Sequence, residues 1–273
     1  MIKLYVLTHK ETFVPHSDAL QLLRVDSTEK DNMADKTHYS ELRAHYWVWK
    51  NEAPDISPVG FFHFRRYLDL RSSRIIPITQ IRRQSPYYIK KWPRGEYYEE
   101  SLLDSALSAY DIVAPLREYT GISVRKRYAE FSGHKSSDLD IIQDIVHEKY
   151  PEYSNAMETY LSGVYEYYGN IFVMRRDIFD SYCSWLFSIL NEYSVRATDI
   201  LPRTHGYLAE RLFGVWFTYI QDAGNYRCAE APRIHYWGFD DKNHGLLKAK
   251  VINIFLPPGS RIRSFVRKFL KRG

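Results

Sequence analysis

The residues of this chain best equipped for chemistry are two adjacent arginines, Arg65 and Arg66, followed by Tyr67. They stand at the end of an apolar run, Pro58 to Phe64 (PVGFFHF), that reads as a buried strand. A guanidinium fork matches phosphate oxygens two at a time, and the carboxyl end of a buried strand is where open α/β sheets place anionic ligands. The competing reading is that one arginine pairs with a structural carboxylate. A second polar cluster closes the first apolar run, where Ile2 to Leu7 ends in Thr8-His9-Lys10. His9, His63 and His134 could support a metal, but their spacing matches no ligand pattern. The two cysteines, Cys183 and Cys228, lie far apart without CxxC spacing. That excludes a zinc ribbon and a disulfide framework, and it fits a reducing cytoplasm.

The elements that must position these residues follow from periodicity. Ile2–Leu7 and Pro58–Phe64 are continuous apolar runs, as expected of strands buried on both faces. Ala19–Val25 suits either a short helix or a second strand, and Asp26–Thr37 is a polar loop in which Asp31-Asn32 could simply turn the chain. A helix is predicted over Tyr39–Asn51, with Tyr39, Leu42, Tyr46 and Trp49 on one stripe. Glu41 falls in its first turn, where it could favour the helix dipole or contact a ligand. Ser72–Arg94 reads as a long surface excursion, a lid or acceptor loop. Helical patterns follow over Glu96–Tyr110, from Asp138 as cap through Tyr150, up to Gly163, from Asp177 as cap to about Tyr193, and over Thr204–Asp222 with Gly224 closing the last. Asp111–Pro115, Tyr168–Arg176 and Tyr226–Trp237 read as extended. Strands alternating with helices predict a layered α/β sheet with helices on both faces, in one domain.

Composition narrows the function classes. With 45% hydrophobic and 26% charged residues, the 273-residue chain has the make-up of a soluble globular domain. Its 23 tyrosines supply either stacking platforms or a Tyr-rich core and rim. A net charge of only +5, with much of the excess in the last dozen residues, argues against a nucleic-acid partner. There is no signal peptide and no run of eighteen apolar residues, so the expectation is a cytoplasmic protein that meets a membrane only at its surface. Ser260–Arg272 (SRIRSFVRKFLKR) places Phe265, Phe269 and Arg272 on one helical row with Ile262 and Val266 beside it. This suits a basic amphipathic helix on the anionic inner face of a membrane; the alternative is a solvated basic tail.

Four blocks taken together resemble a known family: YVLTHK at 5–10, DNM with YSELRAHYWVWKN at 31–51, VGFFHFRRYL at 59–68, and YGNIFVMRRDIFDSYCSWLFSIL with GYLAERL further on. They are similar to DUF4422, a family of glycosyltransferases encoded with bacterial capsule, exopolysaccharide and O-antigen assembly, some of them linked to galactofuranose transfer. Met33-Ala34 replaces the family's Ile-Ser, and Phe62-His63-Phe64 its Cys-His-Tyr. The resemblance implies a GT-A-like fold over residues 1–245, with a nucleotide-binding half at about 1–115 and an acceptor half at about 116–245, followed by the tail at 246–273. It implies a nucleotide-sugar co-substrate, UDP-linked by expectation, and a lipid-linked glycan acceptor. A GT-A enzyme normally holds its diphosphate through a metal on an Asp-x-Asp at a strand end, and here His63-Phe64-Arg65 occupies that place. Arg65 and Arg66 are therefore expected to replace the metal, so that no metal cofactor is required. The alternative is Mn²⁺ or Mg²⁺ on Asp138-Leu139-Asp140, although helix capping already explains Asp138. Thr8, His9, Lys10, Asp31, Asn32 and His63 become nucleotide-side candidates, with Tyr39 either stacking on the base or packing in the core. Tyr67, Asn170, Tyr207 and Arg211 become sugar or acceptor candidates, although Asn170 could merely complete a turn. Glu210 is the first candidate for general base, with Asp138 and His134 as alternatives, unless Glu210 is neutralised by Arg211. The competing functions are a polysaccharide phosphotransferase using the same arginines and a non-catalytic glycan-binding partner.

Overall fold

The computed structural model describes residues 1–10, 12–80, 85–90, 95–131, 133–236, 246–258 and 260–270. The chain runs through β1 (Lys3–Thr8), β2 (Leu20–Arg24), α1 (Leu42–Asn51), β3 (Val59–His63), β4 (Arg66–Leu68), β5 (Ile76–Pro77), β6 (Tyr87–Lys90), α2 (Glu100–Leu107), β7 (Ile112–Pro115) and β8 (Glu118–Tyr119). It continues with α3 (Val124–Ala129), α4 (Ser136–Lys149), α5 (Ser154–Ser162), β9 (Tyr165–Glu166), β10 (Phe172–Met174), α6 (Arg176–Arg196), α7 (Thr204–Ala223), β11 (Cys228–Ala231), β12 (Arg233–Tyr236), α8 (Leu246–Phe255) and α9 (Arg261–Leu270).

The central sheet is mixed. β1 pairs in parallel with β2 on one side and β3 on the other; β10 lies antiparallel between β3 and β7; β11 continues parallel to β7, with short β5 at the edge. At the end of β3 the chain turns into β4, which leads antiparallel to β12, itself parallel to β6. The continuous apolar runs in β1 and β3 are explained by cover on both faces. Tyr5, Leu7, Val59 and Phe61 enter the larger core under α1, α4, α6 and α7, whereas Leu4, Val6 and Phe62 enter a second core with Leu103 and Leu107 of α2 and with Tyr67 and Tyr236. Phe172 stacks on Phe213 at 5.4 Å and packs edge-on to Phe61 at 5.5 Å, tying α7 to the sheet. Each such buried ring stabilises the fold by roughly 1.5–3 kcal/mol. At Gly60 a Cβ would lie 2.5 Å from Leu4 Cδ2 and 2.8 Å from Val173 Cγ2, so glycine lets the side chains of β1 and β10 close over β3.

Several expectations are corrected. The predicted first helix begins at Leu42, because Thr37–Tyr39 forms a separate 3-10 turn and Ser40 has φ 52°. Ala19–Val25 resolves as strand β2. The segment 72–94 is not only surface: Ile75 and Ile76 are buried, β5 and β6 both join the sheet, and residues 81–84 and 91–94 of the expected lid lie outside the described residues. Pro77 hid β5, and proline is tolerated there because β5 is an edge strand. The strand expected over Tyr168–Arg176 shrinks to Phe172–Met174, since Gly169 (φ 94°) and Asn170 (φ 49°) break its extension. Asp138 and Asp177 are inside their helices, not at the caps; Asp138 sits at the third position of α4, where Oδ2 accepts the Lys135 backbone N–H at 3.1 Å. Trp237, expected at the end of the last extended run, lies outside the described residues.

Candidate active site

A cleft of about 480 Å³ opens at the carboxyl ends of β1 and β3, and three segments wall it. The first wall is Thr8 and His9 at the end of β1 with His63 to Arg66 at the β3–β4 turn; the second is Ser40, Glu41 and Arg43 at the start of α1; the third is Arg203 at the N-cap of α7 with Gly206, Tyr207 and Glu210 along it. The β3–β4 turn is fixed by its backbone: Phe64 N–H donates to the Leu7 carbonyl at 3.2 Å, and the Arg65 carbonyl accepts from Tyr236 N–H at 2.9 Å. The side chains of Arg65 and Arg66 therefore project from a clamped loop, and both are exposed. The Arg65 guanidinium lies 5.0 Å from the Phe64 ring centroid and the Lys10 ammonium 5.1 Å from it, so one ring holds two cations.

The N-cap of α7 supplies a third arginine, and the positive end of the helix dipole lies at this end, where Gly206 and Tyr207 line the cleft. Arg203, in the left-handed region at φ 66°, lays its guanidinium 5.2 Å over the Tyr207 ring. Arg43 donates to the Ser40 carbonyl (3.0 Å) and the Ala34 carbonyl (2.8 Å), joining the 26–37 loop to the cleft. Four arginines thus face two carboxylates. Behind them, buried Arg233 pairs with Glu118; burial, and then the charge of Arg66, pull its guanidinium down to about 9.

Glu210 is the more constrained carboxylate. Its Oε1 accepts the Gly169 N–H at 2.7 Å and its Oε2 accepts from Arg211 at 2.8 Å. Burial pushes its carboxyl up to about 7; Arg211 opposes this, while Glu41 and Glu166 add to it. Arg211 is buried and reaches on to Glu166 at 2.6 Å, which in turn faces Arg127 at 3.4 Å and accepts from the Tyr168 hydroxyl. This alternating chain fixes Glu210 from behind. Glu41 is held differently: Asn170 Nδ2 donates to its Oε1 at 2.8 Å and to the Gly206 carbonyl at 3.0 Å. Ser40, Asn170 and Arg203, all non-glycine residues with positive φ, cluster here. Each such conformation costs on the order of 1–3 kcal/mol and persists only where its surroundings impose it. A Cβ on Gly206 would stand 3.1 Å from Ser40 Cβ, so glycine lets α7 approach this turn. His63 Nε2 and Asn170 Oδ1 are buried and find no hydrogen-bond partner among the described residues, an opening for a ligand. Burial, assisted by Arg66, Arg203 and Arg233 against the pull of Glu41, keeps His63 neutral with its pKa near 4.

Among the residues anticipated from sequence, Thr8, His9, His63, Arg65, Arg66, Tyr207 and Glu210 line this cleft, and Lys10 flanks it. Asn170 and Arg211 lie one layer behind, holding Glu41 and Glu210. The others serve the fold. Asp31 accepts from Tyr46 at 3.2 Å, and Asn32 donates to the carbonyls of Thr28 and Lys30, so both are absorbed by their own loop and its helix. Tyr39 packs on His205 in the core, and Tyr67 is fully buried against Tyr98 and Tyr236. Asp138 is a buried acceptor for Tyr128, Tyr193 and Lys135 N–H, while Asp140 pairs with Arg125. These oxygens do not fit a divalent ion, and among the described residues no three His, Cys, Asp or Glu side chains converge as metal ligands. His134 stacks on Tyr128 at 4.1 Å and meets the Tyr207 ring at a tilt at 4.4 Å; burial and then Arg211 lower its pKa to about 4. Sequence reasoning missed Arg43 and Arg203. Arg203 is the N-cap of α7 in the left-handed region, outside the helical repeat, so no stripe in the sequence points to it.

Comparison with known proteins agrees with this architecture. A solved structure described as the WbbM bifunctional glycosyltransferase in its apo form superposes with a TM-score of 0.77 at 28% identity, over 86% of this chain and 45% of that one. The present chain thus spans about half of that protein, and its mixed sheet flanked by helices is GT-A-like. No curated protein matches the chain. Residues 3–221 match the model of DUF4422, a domain of unknown function, and that span of the chain places it in the DUF4422 family.

Proposed function

We propose that the chain is a glycosyltransferase that moves a sugar from a nucleotide diphosphate donor to an acceptor hydroxyl. The observation that carries this reading is the convergence, in one cleft, of four arginines and the N-terminal end of α7 with Glu210, a largely desolvated carboxylate with its pKa near 7. The bond between the anomeric carbon and the β-phosphate oxygen breaks, and the nucleoside diphosphate leaves with the bonding electrons. Arg65, Arg66 and Arg203, with the positive end of the α7 dipole, neutralise that growing charge without a metal ion; one such contact is typically worth ~10²–10³ in rate. The acceptor oxygen forms the new bond to the anomeric carbon while Glu210 takes its proton, a base matched to neutral pH. Likeness to a bifunctional glycosyltransferase over most of this chain supports the reaction class. A UDP-linked donor, galactofuranose among the candidate sugars, and a growing lipid-linked bacterial surface polysaccharide as acceptor complete the proposal.

Incubation with a panel of nucleotide sugars tests it. Release of UDP, accelerated by acceptor, is the expected result. Release of UMP would instead indicate transfer of a phosphorylated sugar, and inertness with every donor would reduce the cleft to a binding site. A crystal soaked with UDP should show the diphosphate against Arg65 and Arg66.

A further inference from the structure

The end of the chain carries a surface that the cleft does not use. Residues 246–273 contain eight Lys and Arg and no Asp or Glu. The remaining 245 residues hold the other 30 cations against all 33 carboxylates, a net −3, so the positive excess of the molecule resides wholly in this segment. The segment is not a single helix. α8 and α9 are joined through Pro257-Pro258, and Arg263 of α9 donates back to the Leu256 carbonyl at 3.0 Å and to Asn253 of α8. Ser260 Oγ accepts the Arg263 N–H at 3.2 Å, capping α9. The pair meets the rest of the protein where Arg261 stacks 5.7 Å over Tyr119, whose ring contacts the exposed Tyr165 edge-on.

Both helices turn large apolar side chains to solvent. On α8, Val251, Ile254 and Phe255 stand at i, i+3 and i+4, with Ile254 71% and Phe255 74% exposed; on α9, Ile262 and Phe265 stand at i and i+3, 62% and 64% exposed. Exposed apolar rows of this size within an all-cationic segment are the pattern of a surface that lies in a bilayer interface. No helix of the described residues is long and apolar enough to cross a membrane.

We infer that α8 and α9 together form a docking unit for an anionic lipid bilayer, with Ile254, Phe255, Ile262 and Phe265 entering the acyl boundary and the flanking cations meeting lipid phosphates. The rest of the chain carries a net charge of −3, so the net attraction to an anionic surface comes from this segment. This inference stands apart from the transferase reading, because it concerns binding that needs no donor.

The test is flotation of the full chain with phosphatidylcholine vesicles, alone or containing about one third phosphatidylglycerol, at about 0.1 M and about 1 M salt. Binding should require phosphatidylglycerol and fall at high salt. Arg267→Gln with Lys268→Gln should weaken partition by roughly 25-fold, about fivefold per cation. Phe255→Ser with Phe265→Ser, at exposed positions, should leave the melting temperature unchanged and lower partition at least as far. Equal binding to neutral vesicles, no binding to either composition, or unaltered binding by the double Phe variant would overturn the inference. So would Phe-dependent self-association in light scattering without vesicle binding. Donor hydrolysis in solution stays unaffected in every arm, which separates this test from that of the cleft.

Discussion

Glu210→Gln separates a catalytic carboxylate from a structural one, because the two roles predict opposite effects on stability. Burial holds the Glu210 carboxyl at about 7, against 4.5 for an ordinary glutamate, even with Arg211 at 2.8 Å. A displacement of that size sets about 3 kcal/mol against the ionised form inside the protein. The protonated form is the one the fold favours, so the stabilising contribution is complete below the usual glutamate range and is lost as pH rises through about 7. Glutamine imitates the protonated form: its Oε1 can still accept the Gly169 N–H, and Arg211 keeps Glu166. The variant should therefore match the parent near pH 4.5 and melt roughly 6–12 °C higher well above pH 7, at roughly 2–4 °C per kcal/mol for a chain of this size. Turnover should fall by ~10²–10⁴, the usual worth of a general base, while nucleotide diphosphate binding measured by calorimetry stays the same. In the parent, kcat should rise about tenfold per pH unit up to about 7 and then level off. Turnover of the variant near the parent's, or a lower melting temperature at pH 8, would refute the assignment.

Four further outcomes follow from the same geometry. Arg65→Ala and Arg66→Ala, both at exposed positions, should each lower turnover by ~10²–10³ and weaken donor binding without changing the melting temperature. EDTA should leave the parent's rate unchanged; loss of activity restored by Mn²⁺ would show that a metal, and not the arginines, carries the diphosphate. Glu166→Gln leaves buried Arg211 with one carboxylate and should cost about 3–5 kcal/mol in denaturant titrations. It should also move the acid limb of the rate profile below pH 7, since Glu166 helps to hold Glu210 up. Gly60→Ala would place its Cβ 2.5 Å from Leu4 Cδ2, overpacking that should cost about 1–3 kcal/mol in the same titrations.

What could be read from the sequence was what is written locally. Continuous apolar runs gave β1 and β3, and helical stripes with Gly224 at the end gave α7, so the layered sheet and the arginine-bearing turn were both legible. The losses have physical causes. β5 (Ile-Pro) and β6 (Tyr-Tyr-Ile-Lys) are short, one ends in proline and the other follows Pro86, and the segment around them is rich in arginine, so they resemble loop until the sheet is assembled. Asp31 and Asn32 had suitable side chains, but nothing local reveals that Tyr46 and the carbonyls of Thr28 and Lys30 occupy them. Tyr67 directly follows the arginines, yet strand alternation turns it into the second core, a consequence of period two that the Arg-Arg-Tyr string conceals. Arg43 lines the cleft while held to the Ala34 carbonyl of the 26–37 loop, a tertiary contact with no local signature.

The position of α7 is the last step that joins these observations. Gly206, Tyr207 and Glu210 face the cleft from α7 and Arg203 from its N-cap, so one rigid helix presents a close-packing glycine, a ring and a carboxylate beside a cation. At 1.5 Å per residue, Glu210 stands about 6 Å further along the axis than Gly206, which separates the anion-binding end from the base by about one turn. Were the two on separate loops, thermal motion would vary that spacing, and a general base must lie within hydrogen-bond reach of its proton. The glycine admits the Ser40 turn, which brings Glu41, and the Arg211–Glu166–Arg127 chain anchors the carboxylate end to the β8–β9 side of the molecule. A buried alternation of charge is weak evidence for stability, because apolar residues of similar volume are often at least as stabilising. Its place directly behind the candidate base is better explained by what it does to Glu210: it orients one oxygen, leaves the carboxyl pKa near 7, and couples that value to Glu166, which does not line the cleft.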